Sequence, residues 1–455
     1  MFLLSQVVLV ARGVSFDLEW VGLSIQNVDQ RLLQHHLLQS LWYLHGQPPL
    51  WNALLGLSMK LGGAVWPRVW HVAFIGLGLV EALALYALLL EVRIPRWPSA
   101  VVASAFVVAP ETLVYENILT YDYPTLVLLT LTALAVVRYA HEPTFARGFL
   151  VFTGVGALIW LRTIFEWPWL FLVLAILLVA RRQSARHALA GSVLAIALVA
   201  GLIAKNWIMY DVPSTTSWSG IMFARAAVTS LPLSERRRLV AEGKLHRVSL
   251  VTPLSQLSDY EAVGIAPDAP SGIPLLDNRG DAYFPRNLEN RTFIRISRLY
   301  WQDDLWIVEH RPSAYLRGVG RGIKDFFAPA TIAWEGTGNT GQIDGYRRWF
   351  ERVVFGRFGS GRDGVFLVAL YAFALVSGIW LTIRRLRPGA DAAMVLVAFS
   401  TLALVYLAVV GNLAEVGENY RFRLVVQPLL LVVAAAGVRE LVDWSRRRRE
   451  TGPRP

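Results

Sequence analysis

The sequence predicts an all-α polytopic membrane protein with about nine to ten transmembrane helices and an inserted extracytoplasmic domain of mixed or irregular structure. Three observations carry this expectation. Of the 455 residues, 55% are hydrophobic, and the mean hydropathy is +0.44. Only 17% are charged, where soluble domains carry about 25%. Long apolar runs recur, and clusters of Arg sit at alternate ends of them, as the positive-inside rule requires. Seventeen Trp and fifteen Tyr suit the aromatic belts of a membrane interface.

The same composition excludes several function classes. The net charge of +11 does not point to nucleic acid, because Arg181-Arg182, Arg384-Arg385 and Arg446 to Arg449 lie at the ends of apolar spans. With no Cys there is no disulfide framework, thiol nucleophile or thiolate metal site. No Walker loop, dinucleotide fingerprint or zincin motif is present.

Taken in order, the first apolar run, Met1 to Ala11, is too short to cross a bilayer alone. It reads as a partial first helix, or the true start lies upstream. Nine further runs read as spans: 68–92, 97–110, 123–140, 148–163, 167–180, 187–204, 364–383, 391–411 and 423–441. Several fall short of the roughly 20 residues a spanning helix needs. Arg93 and Arg96, Arg138 and Arg147, Arg181, Arg182 and Arg186, and Arg384, Arg385 and Arg387 all fall on one side, which is then cytoplasmic together with the basic tail. The expected place is the plasma membrane.

The chain then divides into an N-terminal membrane module, 1–204, with outer loops 13–66 and 111–122, an extracytoplasmic domain, 205–363, C-terminal membrane helices, 364–441, and a frayed basic tail, 442–455. Turn signals such as Pro267 to Gly272 and Asp277 to Gly280, with recurrent aromatics, make 205–363 a compact domain rather than a disordered one.

Every suggestive polar motif falls on the outer side of this topology. The first is Asn27-Val28-Asp29 followed by His45-Gly46-Gln47-Pro48-Pro49-Leu50. Asp29 has the chemistry of a general base toward an acceptor hydroxyl, and His45 and Gln47 can orient a sugar or phosphate. The bland alternative is an amphipathic helix that a Pro pair turns into the next one. The second motif is Tyr115-Glu116-Asn117 with Tyr121-Asp122-Tyr123-Pro124. Glu116 sits where an unpaired carboxylate is costly, to bind a hydroxyl, help hold a metal or pair with an Arg. The third is Gly417-Glu418-Asn419-Tyr420-Arg421-Phe422-Arg423. Its two Arg residues offer forks of donors suited to phosphate, unless they only snorkel at a span end. Arg162, inside an apolar stretch, and Lys205, ending the sixth span, complete the candidates. Pairing with Glu166 or Glu116 is their structural alternative.

An outer-loop acid, a His-Gly-Gln-Pro-Pro-Leu run and a late Glu-Asn-Tyr-Arg-Phe-Arg motif, in that order, resemble the GT-C superfamily. Within it the nearest likeness is to the protein mannosyltransferase and aminoarabinose transferase group. The resemblance covers the membrane core and leaves 205–363 unmatched. It implies an inverting glycosyltransferase that takes a hexosyl or pentosyl unit from a polyprenyl or dolichyl monophosphate. Asp29 matches the family's first-loop acid and would be the base. Arg421 and Arg423 match its late basic residues and would hold the leaving phosphate. Glu116 stands where some members carry a second acid. Many members have an adjacent acid pair in the first loop, where this chain has Asp29 alone.

Fixed Arg donors in a dry site can neutralise one leaving phosphate without a metal. Only Asp29 and Glu116 are plausible ligands for a divalent ion, which would want several carboxylates, so no cofactor is expected, with a divalent ion left open. The expected partners are the bilayer, the lipid-phosphate sugar and a glycan, lipid or protein acceptor, with no nucleic acid. The competing expectations are a flippase for a lipid-linked glycan and a non-catalytic subunit of a cell-envelope assembly.

Overall fold

The structure is a computed structural model and describes residues 2–281, 284, 286–331, 338–357 and 364–451. Among these residues it is helical throughout, and an isolated β-bridge joins Asp17 to Ile118. The described residues of 205–363 form helices joined by turns and irregular stretches, with no strand among them. Residues 282, 283, 285, 332–337 and 358–363 of that expected domain, and 452–455 of the expected tail, lie outside the described set.

Six helical stretches are long and apolar enough to cross a membrane: Leu50–Glu91, Asp122–His141, Arg182–Tyr210, Val365–Arg385, Ala392–Ala414 and Tyr420–Arg448. A seventh candidate, Arg96–Val107 with Pro110–Glu116, is bent by 56°. The bend falls at Ala109, which is extended before Pro110, as the residue before a proline prefers. Among the described residues, six or seven candidate spans stand where nine to ten were expected. The runs at 148–163 and 167–180 form helices of 17 and 14 residues, Phe145–Leu161 and Trp167–Ala180. Arg162 leaves the first in extended backbone, and Pro168 lies in the first turn of the second. The span expected at 68–92 starts earlier, because one 3-10 turn joins Leu50–Gly62 to Trp66–Glu91. The last helix runs to Thr451, into the basic tail.

Asp122–His141 is the central helix. It packs against Trp66–Glu91, Phe145–Leu161, Ala392–Ala414 and Tyr420–Thr451, and 72% of its apolar window is buried against 28% for the peripheral Val365–Arg385. On the latter, Val376 and Ile383 are 70% and 78% exposed, an arrangement that suits lipid rather than water. Phe145–Leu161 and Ala185–Tyr210 approach through small residues, as membrane helices do. A Cβ at Gly191 would lie 2.6 Å from the Gly148 carbonyl carbon.

Basic residues tie one end of the bundle together. Arg181 donates to the Ala140 and Ala390 carbonyls, and Arg385 pairs with Glu440. The other end carries the segment that follows Tyr210. Ala185–Tyr210 runs past the expected boundary at 204 and stops at Asp211, whose φ is 55°. A separate core then forms around Trp218, Ile221, Leu239, Tyr260, Ile296 and Tyr300. From Phe326 the chain returns to the membrane core, which takes in Ala328, Ala330 and Phe355.

Gly191→Ala should overpack the Gly148 contact and cost roughly 1–3 kcal/mol. Gly201→Ala, with open space around it, should be neutral or stabilising. Thermal unfolding of the two variants in detergent checks the contrast, and equal midpoints would contradict the close-packing assignment.

Candidate functional site

The site is built on a shared carboxylate. Asp122 opens the central helix, where the helix N-terminus favours an anion, and it is fully buried. One oxygen lies 2.6 Å from Arg162 Nη1. The other accepts from Arg421 Nε at 2.9 Å and lies 2.7 Å from its Nη2. Tyr121 lies beneath both guanidiniums, at 5.1 and 5.5 Å from its ring centre, and Phe422 backs Arg162 at 5.0 Å. Two cations on one anion leave this trio with a net positive charge. Arg162 is 3% exposed. Its Nη1 faces Asp122 without a hydrogen-bond angle and has no hydrogen-bond partner among the described residues.

Arg162 and Arg421 edge a cavity of about 500 Å³, within the range of small-molecule sites. Gln26, Gln47, Tyr121, Glu166, Thr216, Trp218, Glu415 and Glu418 also line it, and Val409, Val410, Leu413 and Ala414 form an apolar flank. Two of the acids are matched by cations. Arg225 donates to Glu415 at 2.6 Å, and Glu418 accepts from Arg421. Burial works against the Glu418 charge, yet Arg421 and Arg225 hold its carboxyl below the ordinary value. Only glycine suits position 417, where φ is 127° and the Arg225 guanidinium presses on the chain.

Glu166 differs from the other acids. It stands four residues after Arg162 in the loop between Phe145–Leu161 and Trp167–Ala180. It accepts from the Thr215 hydroxyl and makes no ion pair among the described residues. Burial raises its carboxyl to about 7 against hydrogen bonds from Thr215 and the Trp167 backbone. Its backbone N–H donates to the Tyr406 hydroxyl at 3.2 Å, which fixes the loop.

Of the residues singled out from sequence, Gln47, Tyr121, Arg162, Glu418 and Arg421 line this cavity, while Asp29, His45, Tyr115, Glu116, Asn117, Lys205 and Arg423 do not. Asp29 caps the Gln30–His35 helix through the Arg31 N–H and pairs with the Arg31 side chain, which also reaches Asp281. His45 is buried at the seam with the insertion. Its ring bonds Ser217 Oγ at 2.6 Å and the Glu289 carbonyl at 3.0 Å, and the Glu289 carboxylate accepts from the His45 and Gly46 N–H groups. Desolvation lowers the imidazole pKa, although Glu289 opposes it. Lys205 donates to the Leu44 carbonyl on the same seam. Asn117 donates to Leu113 and receives the Asp17 N–H, and Tyr115 is fully buried.

Glu116 accepts from Gln6 at 3.2 and 3.3 Å and makes no ion pair among the described residues. Arg423 points to the opposite side from Arg421. It binds Glu111, the Phe326 and Ala328 carbonyls and Gln427, so its donors are spent on holding the returning chain. Among the described residues, no three His, Cys, Asp or Glu side chains form a group that could hold a metal ion.

Sequence reasoning missed Asp122, Glu166, Glu289 and Glu111 as site or seam residues. Asp122 stood inside a quoted motif, and its signal was an acid opening a helix two residues before Pro124. Glu166 had weighed only as a partner for Arg162. No protein-family profile, curated protein or solved structure matches this chain.

Glu111→Gln should leave Arg423 buried without its counter-ion and cost roughly 3–5 kcal/mol. The residues that line the cavity are untouched. A large fall in the thermal midpoint is the expected result, and an unchanged midpoint would contradict the structural role given to Arg423.

Proposed function

We propose that this protein is a membrane glycosyltransferase that moves a sugar from a polyprenyl or dolichyl monophosphate to a glycan, lipid or protein acceptor, with inversion. The observation that carries the reading is Arg162 beside Arg421, two buried guanidiniums that share Asp122 at the edge of a cavity. Arg forks match phosphate oxygens. In a site of low dielectric they stabilise the charge that grows on a leaving phosphate. The apolar flank of Val409, Val410, Leu413 and Ala414 suits a lipid-borne substrate. The order of the sequence motifs, which resembles the GT-C superfamily, supports the same reading. The basic residues at the opposite end of the bundle favour a site on the outer face of the plasma membrane.

One observation favours the competing reading, transport of a lipid-linked glycan. Glu81 lies within the Leu50–Glu91 span, fully buried, bonded on one oxygen by the Thr130 hydroxyl at 3.1 Å. Ionisable groups at such a depth mark transport pathways. The apolar helices alone fit either activity.

Binding of undecaprenyl monophosphate to the protein in nanodiscs tests the phosphate site. Arg162→Met and Arg421→Met should each weaken it roughly 10- to 100-fold, as expected for a charged hydrogen bond worth about 1.5–3 kcal/mol. Undecaprenol should bind weakly to every form. Equal affinity for phosphate and alcohol would sink the reading. Movement of a fluorescent lipid-linked glycan across vesicles, without sugar transfer, would favour transport instead.

A further inference from the structure

The acids around the cavity divide by what faces them. Asp122 is shared by two guanidiniums, Glu415 is matched by Arg225, and Glu418 is matched by Arg421. A carboxylate already engaged by a guanidinium has fewer lone pairs free to receive an acceptor hydroxyl. Asp29 is held in the same way by Arg31 and lies outside the cavity. Glu166 lines the cavity, has no ion pair among the described residues and is oriented by the Thr215 hydroxyl together with the Trp167 backbone N–H. The loop that carries it also carries Arg162 four residues earlier.

We propose that Glu166, rather than Asp29, is the general base of the transfer, placed by its loop beside the phosphate-binding Arg162 and oriented by Thr215. This rests on the glycosyltransferase reading. The acceptor hydroxyl oxygen attacks the anomeric carbon, and its proton passes to the Glu166 carboxylate. The bond from the anomeric carbon to the phosphate oxygen breaks, and its electron pair leaves on that oxygen, held by Arg162 and Arg421. Attack and departure occur on opposite faces of the sugar, which gives inversion. Thr215 is a positioning residue, since its hydroxyl touches Glu166 and not the reacting atoms. A carboxyl at about 7 is matched to base catalysis near neutral pH.

The test uses the full protein in nanodiscs, with undecaprenyl monophosphate as the binding probe and the lipid-phosphate sugar that accumulates in deletion cells as the donor. Glu166→Gln should lower kcat roughly 10²- to 10⁴-fold while undecaprenyl monophosphate affinity stays within about twofold. Glu166→Asp should retain part of the activity, which keeps the test open if the Gln variant misfolds and loses binding. In the wild type, kcat/KM should rise with pH through about 7. Thr215→Val should move that rise to higher pH, because the lost hydrogen bond had favoured the carboxylate. A merely structural Glu166 would leave the pH profile in place. Wild-type kcat in Glu166→Gln, or loss of transfer in Asp29→Asn with Glu166→Gln active, would overturn the assignment. Absence of transfer by the wild type would instead overturn the glycosyltransferase reading on which it rests.

Discussion

Asp122 is the group on which the site depends. Two guanidiniums buried in an apolar bundle cannot stand without an anion, since desolvating a charge costs several kcal/mol. Asp122 meets both, at 2.6 and 2.7 Å, from the first turn of the most enclosed helix. That position sets Arg162 and Arg421 against the Tyr121 ring and at the wall of the cavity. Arg421 also engages Glu418, and the planar forks of the two guanidiniums suit a phosphate that enters the cavity beside them.

A second set of buried polar contacts ties the His45-Gly46 turn to Thr216, Ser217 and Glu289. The His45-Gly46 turn hands its N–H groups to Glu289, its His45 carbonyl to the Ser217 N–H and its Gly46 carbonyl to Thr216. Any side chain at position 46 would collide with Trp218. On the far side, Arg423 and Glu111 clamp the returning chain at Phe326 to Ala330. These ties bring Thr216 and Trp218 to the cavity wall. The polar run His45 to Leu50 therefore joins two parts of the fold, with Gln47 alone among its named residues reaching the cavity.

The helical class was legible because apolar content and Arg placement report directly on burial in lipid. The count of spans was not, because hydropathy does not register a bend such as that at Pro110 or an early stop such as that at Arg162. At the site, Arg162 and Arg421 were legible as cations that a membrane tolerates only with a purpose. Arg423 looked alike in sequence. Two residues further along a helix it points away from Arg421, and only tertiary packing reveals Glu111 as its partner. Asp122 and Glu166 were illegible for the opposite reason. An acid beside Tyr or Trp at a span end is common, and its role depends on which charges face it.

A structure of the protein in lipid nanodiscs with undecaprenyl monophosphate tests the central claim most directly. The phosphate should lie between Arg162 and Arg421, within hydrogen-bond reach of both at about 2.7–2.9 Å, with the lipid chain along the Val409 to Ala414 flank. A phosphate bound elsewhere, with Arg162 and Arg421 still engaged only by Asp122 and Glu418, would contradict it.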